Sequence, residues 1–132
     1  MPVSKLPSPL RIEPIAGYTP TIGRLVGMLS YARSTTLAAV DGLTLPELDH
    51  LQDAESNSIG ALLAHIAVVE RSYQVLTFEG RLLSLEEQGR WSTALKLGAE
   101  GRRTLRGRPL PHYLEELAAA RRDTPRGARR AR

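Results

Sequence analysis

The chain has 132 residues, enough for one domain, and its 42% hydrophobic and 24% charged residues are typical of a folded protein. It contains no cysteine, which excludes disulfides, thiolate-bound zinc and thiol nucleophiles. The net charge of +4 conceals an asymmetry, since residues 1–100 have 8 basic and 11 acidic residues whereas residues 101–132 have 10 and 3. The high isoelectric point therefore describes the C-terminal segment and does not by itself indicate a nucleic-acid-binding fold.

The N-terminal part of the chain is predicted to contain a flexible arm followed by a long helix. Residues 1–16 are rich in proline and have no apolar signal-peptide core, so they form the arm and give no sign of secretion. Thr19 is a good N-cap, and the apolar residues that follow recur at i, i+3 and i+4. Gly42 can adopt the left-handed backbone conformation that ends a helix. These signals predict a helix over residues 20–40.

Two further helices are predicted in the middle of the chain. Thr44 and Glu47 have the spacing of a capping box, which indicates a short helix over residues 45–51. A longer helix is predicted over residues 58–78, and Gly80 is its stop. Its apolar run from Ile59 to Val69 has 11 residues, whereas a membrane span needs about 20. We therefore expect no membrane segment and a cytoplasmic protein.

The C-terminal third is predicted to be helical up to the point where its composition changes. A weaker helical stretch follows Ser84, and glycines interrupt it at Gly89, Gly98 and Gly101. The last helix is predicted over residues 111–122. Residues 123–132 contain no large apolar side chain, and we expect them to form a basic, disordered tail. The predicted fold is therefore an all-α bundle over residues 17–122, with no strand pattern anywhere.

Two charged residues lie inside apolar stripes of the predicted helices. On a helical wheel Arg33 falls among the apolar residues of the first long helix, and Glu70 falls among those of the second. A buried carboxylate needs a partner. In an antiparallel helix pair the axial offset between the two residues is about 7–8 Å, which a long arginine side chain spans. We therefore predict a structural ion pair between Arg33 and Glu70.

His65 is the histidine that the sequence places closest to a core. It lies at the edge of the apolar stripe of the second long helix, where it is either a packing residue with one hydrogen bond or a group that faces a cavity between helices. His50 and His112 are predicted to lie at the surface. No two histidines have the i, i+3 or i+4 spacing of a helical metal-binding pair, and the residues alone identify no catalytic group.

Residues 17–124 resemble the DinB-like superfamily of bacterial four-helix proteins. The similar segments are IGRLVGMLSYARSTTLAAVDGLTLPELDH, SNSIGALLAHIAVVERSYQVLTFEGR and WSTALKLGAEGRRTLRGRPLPHYLEELAAARRDT. The resemblance implies a bundle with a divalent metal, commonly zinc or nickel, held by three histidines. His65 matches the ligand of the second helix, and the other two lie in an HxxxH pair on a fourth helix. Some relatives are thiol-dependent transferases, isomerases or hydrolases, and such families often form dimers.

This sequence departs from that pattern because the HxxxH pair is absent. With His65 as the single matched ligand we expect no cofactor in this chain and no stoichiometric metal. The Arg-rich end suggests a truncated or frame-shifted chain, and the alternative is a short relative that completes its bundle by forming a homodimer. An activity is therefore uncertain, and an inactive chain is favoured.

Two other functions remain open. One is a non-enzymatic helical module that self-associates through its open apolar face. The other is non-specific nucleic-acid binding through the Arg-rich tail. We rank it last because the basic region of residues 101–132 has few aromatic residues for stacking and no recognition motif.

Overall fold

The structure, a computed structural model, describes the backbone of residues 14–130 and the side chains as far as Thr124. Every regular element in this range is a helix, which confirms the predicted all-α class. The chain divides into two compact units. One consists of Met1–Gly42, with the first long helix, together with Ala128–Arg132, and the other comprises Leu43–Gly127. No described helix has the length and apolar composition needed to cross a membrane. All but three residues of the predicted arm, 1–16, lie outside the described range.

Helix α1, Pro20–Val40, has the predicted bounds. The Thr19 hydroxyl accepts a hydrogen bond from the backbone N–H of Ile22, and Pro20 occupies the first turn, where its missing N–H costs nothing. Gly42 has a φ of 74°, the left-handed conformation that favours glycine. These local signals explain why the sequence specifies both ends of α1.

Helix α2, Leu45–Asp49, is a single short turn with a buried anchor. The Glu47 carboxylate accepts hydrogen bonds from the Thr44 hydroxyl at 2.7 Å and from the Thr44 backbone N–H at 3.2 Å. These two bonds, led by the hydroxyl, hold the pKa of Glu47 below its ordinary value. Leu48 is fully buried and fixes the short helix to the rest of its unit.

Helix α3, Ile59–Tyr73, is followed by a π-helical turn, Gln74–Phe78, where we predicted one continuous α-helix. The Ser58 hydroxyl caps α3 by accepting from the Ala61 N–H at 3.0 Å. The buried face of α3 consists mostly of small residues, namely Gly60, Ala61, Ala64, Ala67 and Ser72. Leu63 is the one buried leucine of α3, whereas five other large apolar side chains remain 38–64% exposed; they are Ile59, Leu62, Ile66, Tyr73 and, in the π turn, Leu76.

Helices α4, Leu85–Lys96, and α5, Gly98–Thr104, follow each other almost directly. The Ser84 hydroxyl and the Glu87 carboxylate form a reciprocal capping box at the start of α4. The prediction that Gly89 interrupts this helix was wrong. Gly89 lies inside α4 with open space around it, and its cost in backbone entropy is smaller than the gain from a well-capped helix.

Helix α6, Leu110–Arg130, corrects the prediction that the last helix ends at residue 122 and that a disordered tail follows. Its backbone remains helical through the described part of residues 123–132. Asp123 forms an ion pair with Arg71, and Thr124 is 9% exposed. These contacts with α3 extend the helix, and arginine and alanine both favour helical backbone. Tyr113, Leu117 and Ala120 are fully buried and form the apolar face of α6.

Candidate functional site

The imidazole of His65 is half-buried between α3 and α4 and is held by one hydrogen bond. Its Nδ1 lies 2.7 Å from the backbone carbonyl oxygen of Ala94, in the last turn of α4. A carbonyl oxygen can only accept, so Nδ1 carries the hydrogen. In the neutral ring the lone pair is therefore on Nε2. The bond joins two residues that are 29 positions apart.

This hydrogen bond has a structural consequence and a chemical one. The last four carbonyls of a helix lack partners within the helix, and His65 satisfies one of them at the end of α4. The same bond fixes the orientation of the ring and leaves Nε2 available. Metal-ligating histidines have this arrangement, with one ring N–H donated to a carbonyl and the other nitrogen available to the metal.

The donor set around His65 does not fit the three-ligand metal site of the DinB-like superfamily. Within the described residues no group of three or more histidine or acidic side chains is close enough to hold a metal ion. His50 is exposed, and His112 is about 40% exposed and lies 3.1 Å from Glu116.

Glu70 lies in a polar cluster that sequence reasoning missed. Its carboxylate accepts 2.6 and 2.7 Å hydrogen bonds from the Arg121 guanidinium and the Thr124 hydroxyl, and the Glu70 side chain is only 13% exposed. The predicted pair of Arg33 with Glu70 stays a prediction, for which a double-mutant cycle is the test. Arg121 and Thr124 have i, i+3 spacing, which places both on one face of α6. This spacing is the sequence signal that could have indicated the cluster.

The same cluster joins α3 and its π turn to the C-terminal half of α6. The Arg71 guanidinium donates to Asp123 at 2.9 Å. The Gln74 amide donates to the Ala120 carbonyl at 2.7 Å and to the Thr124 hydroxyl at 2.8 Å. Side chains from residues that we assigned to a solvated tail are therefore part of the packing of this unit.

A cavity of about 540 Å³ opens between α3, α4 and the segment that leads into α6. Its lining combines apolar residues with three arginines and one glutamate. The lining includes Ala64, Ala67, Val68, Leu105, Trp91, Arg71, Arg90, Arg108 and Glu116. His65 is next to Ala64 in sequence, but its side chain is not part of this lining. A cavity of this size is in the range that small-molecule sites occupy.

A second buried polar feature lies where α2, α3 and α6 meet. Tyr113 is fully buried, and its hydroxyl has no hydrogen-bond partner within the described part of the chain. One Asp49 oxygen accepts from the Gly107 N–H at 2.8 Å, whereas the other is buried without a partner there. Burial, and secondarily the charge of Asp49, raises the pKa of Tyr113.

The model of the mycothiol-S-transferase family matches residues 24–129, which is most of the chain. No curated protein shows a significant match. The matched range contains His65, the polar cluster around Glu70 and the cavity. The chain therefore belongs to the mycothiol-S-transferase family, within the DinB-like superfamily that its sequence resembles.

Proposed function

We propose that this chain is a thiol-transferase-type protein that retains an oriented histidine but does not by itself form a catalytic metal site. One observation carries the proposal: Nδ1 of His65 is bonded to Ala94, and no second and third ligand accompany it within the described residues. A catalytic zinc site uses about three protein ligands and one open position. One imidazole binds a divalent ion weakly and does not fix its geometry.

The role of His65 in this proposal is to satisfy the end of α4, with Nε2 left over from the ancestral metal site. The hydrogen bond to a backbone carbonyl contributes about 1 kcal/mol to stability, a magnitude typical of one buried neutral hydrogen bond. Metal affinity, by contrast, depends on Nε2. The two roles therefore use different atoms of one ring and are separable by substitution.

Two variants separate these roles. In His65→Asn the amide N–H₂ lies near the position of Nδ1 and can still donate to Ala94, whereas the ligand nitrogen is lost. In His65→Ala both are lost. We expect His65→Asn to unfold at nearly the wild-type denaturant midpoint and His65→Ala to be less stable by about 1 kcal/mol.

Metal retention and thiol consumption test the proposal directly. The purified protein is incubated with Zn²⁺ or Ni²⁺, dialysed and subjected to elemental analysis. The loss of a thiol such as mycothiol is followed in the presence of an alkylating acceptor. We expect less than one metal per chain, and we expect the wild type to consume the thiol no faster than His65→Asn. One tightly held metal per chain that His65→Asn loses, or thiol transfer that depends on His65, would overturn the proposal.

A second candidate function, self-association, is supported by the exposed face of α3. The large apolar residues of this face recur at helical spacing and are at least 38% exposed, which is unusual for a long helix in a monomer. We propose that a second copy of the chain covers this face in a two-fold contact. This contact needs neither a metal nor a catalytic residue.

Light scattering of the wild type and a charged variant tests the self-association proposal. Leu62 and Ile66 lie one turn apart on the exposed face, and Leu62→Glu/Ile66→Glu introduces two like charges there. We expect a dimer for the wild type and a monomer for the variant. Leu82→Glu is the control, since Leu82 is 82% exposed and lies outside α3. A monomeric wild type would contradict this proposal.

A further inference from the structure

The cavity between α3, α4 and the start of α6 has the charge of an anion-binding site. Its lining contains three arginines and a single acidic residue, Glu116. Arg71 and Arg90 have partners of their own, since they pair with Asp123 and Glu86. Arg108 forms no hydrogen bond or ion pair with any described residue. A half-buried guanidinium without a partner at the edge of a cavity favours an anionic ligand.

The remaining walls restrict the kind of anion. The lining also contains apolar residues, namely Ala64, Ala67, Val68 and Leu105, and Trp91 adds an aromatic side chain. A bare inorganic ion leaves these groups without contacts, whereas a ligand with an apolar body buries them. The volume of about 540 Å³ accommodates such a body together with a charged head.

We propose that this cavity binds a small organic carboxylate, with its carboxylate on Arg108 and its apolar body against the alanines of α3. An arginine guanidinium can donate two parallel hydrogen bonds to the two oxygens of a carboxylate, whereas a lysine ammonium lacks this planar two-point geometry. The site uses neither His65 nor a metal, so it stands independently of the proposed function.

The position of Trp91 provides the assay, because it is the only tryptophan in the chain and it lines the cavity. The protein is titrated with 4-phenylbutyrate and with its neutral amide, and the fluorescence of Trp91 is recorded. The two probes share an apolar body and differ in charge. We expect both to cause a saturable change and the carboxylate to bind at least about tenfold more tightly, the lower end of what one charge-assisted hydrogen bond provides.

Two variants of equal charge identify the residue that recognises the carboxylate. Arg108→Gln removes the unpartnered guanidinium, and we expect carboxylate and amide to bind it equally. Arg122→Gln is the control, because Arg122 is 60% exposed on α6, pairs with Glu115 and does not line the cavity. It should retain the wild-type preference. Helix content from circular dichroism is measured for each variant.

Thr93→Glu is an independent test within the same cavity. It adds a negative charge to the lining and should abolish the preference for the carboxylate while Arg108 is present. Equal affinity of the wild type for carboxylate and amide would overturn the proposal. The proposal would also be overturned if Arg108→Gln and Arg122→Gln lost the preference for the carboxylate equally, or if Thr93→Glu left that preference unchanged. The absence of any saturable change in Trp91 fluorescence would overturn it as well.

Discussion

The buried hydroxyl of Tyr113 forms no hydrogen bond with any described residue, and its removal should make the protein more stable. Tyr113 is fully buried on α6, and its ring lies against the backbone of Gly60 on α3. Its hydroxyl has no hydrogen-bond partner within the described residues. Tyr113→Phe keeps the ring and its apolar contacts and removes one oxygen. The variant therefore isolates the cost of burying that hydroxyl.

The magnitude follows from the desolvation of one polar group. Burial of a hydroxyl without a hydrogen bond costs about 1–3 kcal/mol, and deletion of the oxygen leaves a gap that loses some packing. We therefore expect Tyr113→Phe to raise the free energy of unfolding by about 1 kcal/mol. For a chain of this length that corresponds to a rise in Tm of about 4 °C.

The same substitution should change the stability at alkaline pH. Burial raises the pKa of Tyr113 above its unfolded value near 10. Above pH 10 the folded state therefore binds more protons at this group than the unfolded state, and stability falls as the pH rises. Below pH 10 this loss is absent. We expect the wild type to lose more stability than Tyr113→Phe as the pH rises above about 10.

Urea denaturation at pH 7 and over the alkaline range measures both effects. Tyr73→Phe is the control for the stability at pH 7, since Tyr73 is 64% exposed. A Tyr113→Phe variant that is less stable by 1 kcal/mol or more would refute the reasoning, because the hydroxyl would then have a hydrogen-bond partner. An alkaline slope identical to that of the wild type would refute the pH argument.

Three other outcomes follow from the same structure. Gly60→Ala should destabilise the protein by about 1–3 kcal/mol in thermal or urea unfolding, because the new Cβ lies 2.6 Å from the buried tyrosine hydroxyl. Gly89→Ala, in the interior of α4 with open space around it, should stabilise the protein by up to about 1 kcal/mol. The Arg81 guanidinium, with the Ser84 backbone N–H, lowers the pKa of Glu87 from 4.5 to about 2. The stability that this carboxylate contributes is therefore present above pH 4.5 and is lost as the pH falls through 2. Acid unfolding of Glu87→Gln should show a weaker dependence over that range, and an unchanged dependence would contradict it.

Local sequence signals predicted the beginnings of helices better than their ends. Thr19, Ser58 and Ser84 act within three residues of themselves, so their caps are readable from the sequence. The end of α6 is different, because Thr124 is held by side chains of α3 and its π turn, more than 45 positions away. Composition alone gave no sign of those contacts and suggested a solvated tail.

The candidate site shows the same division between local and tertiary information. The helical wheel placed His65 at the edge of a stripe, and its half-buried position agrees with that. The partner of His65 is a backbone carbonyl, which has no sequence signature. The charge of the cavity also arises from three separate segments, and no spacing rule brings Arg71, Arg90 and Arg108 together.

The π turn at Gln74–Phe78 affects how this chain should be aligned with others of its family. The backbone N–H of Glu79 donates to the carbonyl of Gln74, five residues earlier, so this turn contains one residue more than an α-helical turn. Insertions are normally tolerated in surface loops. Here a relative that is one residue shorter can continue α3 as a regular helix up to the turn at Gly80. Length differences between relatives are therefore to be sought inside this helix as well as in the loops, and a gap forced into the next loop would misplace every residue from 74 to 80.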